Sequence, residues 1–154
     1  MRPLLCRRAG PASAALARRP GAGAPRRERL ERVLREACKQ SRRAWLPELQ
    51  PPAGPAELAA ELAGERPARA VALLEPGAPL SLDTWVRALL AEGGSPASRE
   101  QPLVLVVGPE GGLTEEERGA LLEAGAGPVR LGPHVLRIET AAEAAVAIAM
   151  GLFA

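Results

Sequence analysis

The sequence predicts an α/β domain built on a parallel sheet, and three observations carry that prediction. Two short apolar runs, AVALL at 70–74 and LVLVV at 103–107, are unbroken rather than alternating, as in strands covered on both faces. Segments with helical spacing of apolar residues alternate with these runs, the order in which βα units are laid down. The second run stops at a glycine loop that leads straight into a helix start. The loop therefore stands at the carboxyl end of a strand, the edge where open α/β sheets bind ligands.

The 154 residues suffice for one compact domain. Two Trp, one Phe and no Tyr leave a core of Leu, Val and Ala, punctuated by 16 Gly and 16 Pro. The net charge of +2 hides an asymmetry: residues 1–27 hold seven arginines and no acid, and the remainder has 13 basic against 18 acidic residues. A globally basic RNA-binding surface is not what this composition shows. Nucleic-acid contact would rest on local patches: the Arg-rich start, Arg42 with Arg43, and Arg137. Cys6 and Cys38 lack metal-ligand spacing and read as free thiols in a reducing compartment. The longest uncharged run, 144–154, is too short to cross a bilayer, and a cytoplasmic location is expected.

In chain order, residues 1–25 lack periodicity and are expected to be disordered. Their acid-free, Arg-rich composition suits either a mitochondrial or plastid transit peptide or a misassigned start in a GC-rich gene. The spacing of Leu30, Val33, Leu34 and Ala37 predicts a helix over 26–40. Arg42, Arg43 and Trp45 follow before Pro47. They suit a nucleic-acid backbone and a stacked base, or equally a solvated helix end with Trp45 in the core. Pro51 to Pro55 read as a connection, 56–63 as a short helix closed by Gly64, and 70–74 as a buried strand ended by Glu75-Pro76-Gly77. A helix over 83–91 has Ser81 as candidate cap and Gly93-Gly94 as its stop, and 95–102 is a polar loop.

The chemistry concentrates in two later stretches, 103–117 (LVLVVGPEGGLTEEE) and 131–142 (LGPHVLRIETAA). Gly108 ends the strand, Pro109 fixes one φ, and Gly111 and Gly112 allow positive φ or close approach of backbone to a ligand. Thr114 with Glu117 forms a capping box, and Glu115 to Glu117 put negative charge at the positive end of the helix. Three carboxylates there, with no P-loop Lys, argue against a phosphate ligand and for a neutral or cationic one. The glycines read equally as a plain tight turn. The helix ends at 125–127, a short strand covers 129–131, Gly132-Pro133 turns, and Val135-Leu136 precede Arg137. From Glu139-Thr140 an alanine-rich helix runs to the end, its small residues suited to close packing within the subunit or against a second copy.

Gly-Pro-Glu-Gly-Gly followed by Leu-Gly-x-x-Val-Leu-Arg-x-Glu-Thr-Ala resembles the 16S ribosomal RNA uridine N3-methyltransferases of the SPOUT superfamily. More weakly, the resemblance extends upstream to RLERVLREACKQSRRAWLPEL at 29–49. It implies a SPOUT-type parallel sheet with a C-terminal trefoil knot and S-adenosylmethionine (SAM) bound bent within the knot. By the same resemblance Gly108, Pro109, Glu110, Gly111 and Gly112 form one wall of the pocket. Leu131, Gly132, Val135, Leu136 and Arg137 form another, closed by Thr140 and Ala141. The implied reaction methylates N3 of a uridine in 16S ribosomal RNA of the small subunit, by a homodimer with no metal. Arg137 is the candidate cation near the uracil oxygens, and Glu139 or Glu110 the candidate proton acceptor. Pro133-His134 departs from a pair that often includes Arg in the family. The β-barrel and Thr-Glu-Leu-Gly unit that precede this region in the family are not found, so residues 26–154 resemble a partial, N-terminally truncated domain. The competing expectations are an inactive remnant that binds SAM or dimerises without catalysis, and an unrelated nucleotide-binding domain.

Overall fold

The structure is a computed structural model that describes Leu4, Cys6 to Arg8, and residues 24–64, 70–93 and 102–153. Its elements are α1 (Ala24–Gln40), α2 (Pro55–Gly64), β1 (Ala70–Leu74), β2 (Leu80–Ser81), α3 (Leu82–Ala91), β3 (Leu103–Val107), α4 (Glu115–Glu123), β4 (Gly127–Arg130) and α5 (Ile138–Leu152). The four strands are all parallel, in the order β2-β4-β1-β3.

Strand periodicity sorts the core into two layers. Val71 and Leu73 of β1 and Val106 of β3 face Ala59 and Leu62 of α2 and Leu121 of α4. Ala72 of β1 and Val129 of β4 face the other way, against Leu82 and Val86 of α3 and Ala145 of α5. Helices thus cover both faces of the sheet, as parallel strands require. Leu73, Leu82, Leu121, Val86 and Val129 are the largest fully buried side chains, each contributing about 1.5–3 kcal/mol by leaving water.

Several expectations are corrected. The LVLVV run is an edge strand: among the described residues β3 pairs only with β1, and only Val106 is buried. The central position belongs to AVALL, whose Val71, Ala72 and Leu73 are all buried. The two-residue β2 carries too little pattern to be read from sequence. Pro55 opens α2 rather than ending the connection, because its missing N–H would be unpaired at that position anyway. Ser81 does precede α3, but its hydroxyl bonds the Thr84 hydroxyl at 2.8 Å instead of capping a backbone N–H. Gly127 belongs to β4; a Cβ there would stand 2.8 Å from Trp85 Nε1, so the close approach of the indole demands glycine. Of the two places left open to Trp45, core and surface, the structure takes the surface, with the residue 81% exposed. Most of the tail 1–25 and of the polar loop 95–102, and Gly94, lie outside the described residues. Leu4 bridges to Ala53 in parallel.

Candidate functional site: a cleft at the carboxyl edge of the sheet

Because all four strands run in parallel, their carboxyl ends share one edge, and three loops leaving it converge. They are the β1–β2 loop, the glycine loop after β3 and the segment after β4. Together they line a cleft of about 540 Å³.

The glycine loop is shaped by one backbone hydrogen bond, from Gly112 N–H to the Pro109 carbonyl at 2.8 Å, with Gly112 at φ +70. A side chain at Gly112 would be strained in that conformation. The helix start beyond it is capped as its sequence dictates. Thr114 N–H donates to Glu117 Oε2 at 2.8 Å, and Glu117 N–H donates to Thr114 Oγ1 at 3.2 Å. The far end of α4 closes in a Schellman motif on Gly125 at φ +92: Ala126 N–H reaches the Leu121 carbonyl and Gly125 N–H the Leu122 carbonyl.

Behind the loop lies the chain's own start. Arg7 N–H donates to Glu117 Oε1 at 2.7 Å, and the Arg7 guanidinium pairs with Glu116 at 2.6 Å. A Cβ on Gly111 would stand 3.0 Å from the Arg8 carbonyl, so here the absent side chain makes room for protein. Burial by itself would raise the Glu117 pKa. The hydrogen bonds from the Thr114 and Arg7 backbone and the Thr114 hydroxyl, with the Arg7 charge, outweigh it and hold the carboxyl below the ordinary range. Cys6 is affected the other way: burial first, then the Glu117 charge, push its thiol up from 9.0 to about 11.

The other walls are pinned by arginines. Arg118 Nε donates to Glu75 Oε1 at 2.7 Å, tying α4 to the β1–β2 loop across the cleft. That hydrogen bond and the Glu75 charge hold the Arg118 guanidinium more firmly in its charged form. Arg130 Nη1 donates to the Ala78 carbonyl at 2.6 Å and to the Pro79 carbonyl, fixing the same loop from β4.

Of the residues singled out from sequence, the cleft gathers Gly108, Pro109, Glu110, Gly112, Leu131, Gly132, Val135, Leu136 and Ala141. Gly111 turns its open side to Arg8, while its two neighbours line the cleft. Arg137, Glu139 and Thr140 are exposed at the start of α5 and do not line it; the Arg137 carbonyl accepts from Ala141 N–H at 2.8 Å. Sequence reasoning passed over the whole loop 74–79, together with Leu113, Glu115, Arg118 and Ile138. The signal was present: Glu75-Pro76-Gly77 punctuates an apolar run just as Gly108-Pro109 does. His134, which reads from sequence as a surface loop residue or a ligand contact, is exposed and on the cleft wall. Val135 is 77% exposed, leaving apolar surface open beside the cleft. No group of His, Cys, Asp and Glu among the described residues could hold a metal ion, and no described helix is long and apolar enough to cross a membrane.

Known proteins share this fold. A protein of Legionella pneumophila, solved in complex with the bound cofactor SAM, superposes with a TM-score of 0.71 at 26% identity, covering 98% of this chain and 54% of that one. The ribosomal RNA small subunit methyltransferase E of Neisseria gonorrhoeae, solved bound to S-adenosyl methionine, gives 0.62 at 30% identity over 86% of this chain and 49% of that one. Among curated proteins, ribosomal RNA small subunit methyltransferase E of Mycobacterium bovis is 40% identical over 114 residues, 74% of this chain and 40% of that protein. Its Synechocystis namesake is 32% identical over 120 residues, 78% and 37% respectively. The chain therefore spans about 40% of the length of the curated relatives it matches. With residues 16–150 matching the RNA methyltransferase domain model, the chain belongs to the RNA methyltransferase domain family.

Proposed function

We propose that this chain carries the SAM-binding part of a methyltransferase acting on N3 of a uridine in small-subunit ribosomal RNA. The observation that carries the reading is the convergence of three strand-end loops on one cleft lined by Gly108, Gly112, Leu131, Gly132 and Leu136, within a family of RNA methyltransferases. The donor set suits the group. Leu131, Val135, Leu136 and Ile138 offer apolar surface to a purine, and Glu110 and Glu115 offer negative charge to a cationic ligand. When bound, SAM supplies a methyl group on a sulfonium, to be moved to N3 of uracil.

What the protein must add is help in removing the N3 proton. A cation near O2 or O4 lowers that cost, and Arg137, the N-cap residue of α5 next to the lining residues Leu136 and Ile138, is assigned that role. The proton passes to a carboxylate, either Glu139 in the first turn of α5 or Glu110 on the cleft wall. N3 lies on the pairing edge, so the uridine enters unpaired or extruded. The homodimer and the knot implied by the resemblance belong to the same reading. α5 leaves Val146 and Met150, one turn apart, 49% and 53% exposed beside a groove formed with Leu103, Leu105 and Phe153. A cytoplasmic place of work, with no membrane partner, completes the proposal.

Calorimetric titration with S-adenosylhomocysteine is the test, expected to give saturable heat at one site per chain. Gly132→Phe should abolish it without unfolding the protein, because a Cβ at Gly132 meets nothing within 4 Å. Absence of heat from a folded sample overturns the reading. Binding without methyl transfer to small subunits would support the alternative of a chain that binds SAM but does not catalyse.

A further inference from the structure

We infer that the end of α1 is a single-stranded RNA contact, with Trp45 as the stacking platform and Arg42 and Arg43 as phosphate partners. The inference rests on the reading that the substrate is RNA, but on a surface separate from the cleft lining.

Three independent observations converge on it. Trp45, one of only three aromatic residues in the chain, is 81% exposed, while its carbonyl accepts a hydrogen bond from Cys38 Sγ at 3.6 Å that fixes its backbone. An indole held in water forfeits the burial that Trp ordinarily supplies to a core. The end of α1 and the segment after it are basic: residues 35–48 hold four basic and two acidic residues. Both carboxylates are already engaged, Glu36 with Lys39 and Glu48 with a partner of its own. Arg29, Arg32, Arg42 and Arg43 are exposed with no carboxylate partner among the described residues. Finally, Arg42 holds φ 53, the only positive φ at a non-glycine position among the described residues. It is the C′ residue of a Schellman motif, with Arg43 N–H reaching the Cys38 carbonyl and Arg42 N–H the Lys39 carbonyl. Glycine would serve that backbone without strain, so local structure does not account for a cation there.

A flat aromatic flanked by guanidinium groups that have no carboxylate partner among the described residues matches an unstacked base with phosphates on either side. A paired helix presents no free base face, which selects single-stranded RNA. Charge complementarity also disfavours a second copy, whose own α1 end would bring the same cations together.

The test titrates the full-length chain with a short oligouridylate. Tryptophan emission should be quenched saturably in the wild type. In Trp45→Ala the remaining Trp85, packed against Gly127, should stay unquenched. Anisotropy of labelled RNA should show Trp45→Ala binding roughly tenfold more weakly and Trp45→Phe close to wild type, since a phenyl ring also stacks. Replacing Arg42 and Arg43 by Ala should lower the slope of log K against log salt by about 1.4. Unchanged affinity and slope in these variants would overturn the inference. So would Trp45 emission already shielded in a concentration-dependent way, which would mean that a second copy covers it. S-adenosylhomocysteine binding, measured on the same variants, separates the two proposals. If RNA affinity falls while that binding persists, the contact is supported. If the wild type binds RNA in this way but no S-adenosylhomocysteine, the cleft reading fails and this one stands.

Discussion

Helices α1 and α4 end in the same pair of hydrogen bonds, yet one closes on Arg42 and the other on Gly125. Their surroundings differ as sharply. α4 begins in a complete capping box, buries Glu117 and Leu121, and holds the glycine loop and Glu75 in place. Among the described side chains of α1 only Cys38 is buried, and Val33 stands 56% exposed. Local signals and burial agree where the helix frames the cleft. At the end of α1 they disagree, as at positions kept for a contact outside the chain.

Truncating one apolar residue in each helix should separate α4 from α1 most clearly. Leu121→Ala should cost about 2–5 kcal/mol in urea denaturation, because the cavity it leaves is closed to water. Val33→Ala should stay within about 0.5 kcal/mol. Equal losses would mean that α1 is as deeply packed as α4.

The next largest effect is expected at Glu117. Glu117→Gln should cost about 1–2 kcal/mol at neutral pH through loss of charge-assisted cap and Arg7 hydrogen bonds. It should also flatten the acid limb of the stability profile. The folded carboxyl sits below its ordinary value of 4.5, so its contribution is present above that value and is lost as pH falls through the lower folded one. An acid limb identical to that of the wild type would show that Glu117 is not the group responsible.

The residues that close the two helices should respond in opposite directions. Arg42→Gly should raise stability by about 1 kcal/mol, and Gly125→Ala should lower it by a similar amount, both through the left-handed backbone. Thermal melts of the two variants suffice. If Arg42→Gly destabilises, the arginine has a structural partner that offsets its strain.

The smallest effect on stability is expected at Cys6. Its thiol, raised to about 11, should react with iodoacetamide at pH 8 about 10- to 100-fold more slowly than a free cysteine peptide. Glu117→Gln should speed that reaction, since the carboxylate is one of the two causes of the shift.

Much of this molecule was legible before folding. The unbroken runs at 70–74 and 103–107 specified parallel strands, and Thr114 with Glu117 specified a helix start. The glycines at 108, 111 and 112 marked where backbone would bend at a strand end. These are short-range instructions: periodicity, capping and allowed φ act over a few residues and can be read from them.

Neighbours across the sheet are another matter. That β1 is central and β3 an edge, that Glu75 meets Arg118 43 positions away, and that the 74–79 loop joins the cleft all depend on strand order. No local pattern encodes that order. Gly111 makes the same point: sequence assigns its missing side chain to a turn or a ligand, whereas the fold brings the Arg8 carbonyl against it. For Trp45 the sequence left core and surface equally open, and tertiary packing decided in favour of water. Residue chemistry alone determined which segments bend, cap and alternate. Which of them meet was settled by the shared burial of the sheet's two faces, a property that exists only once distant segments are brought together.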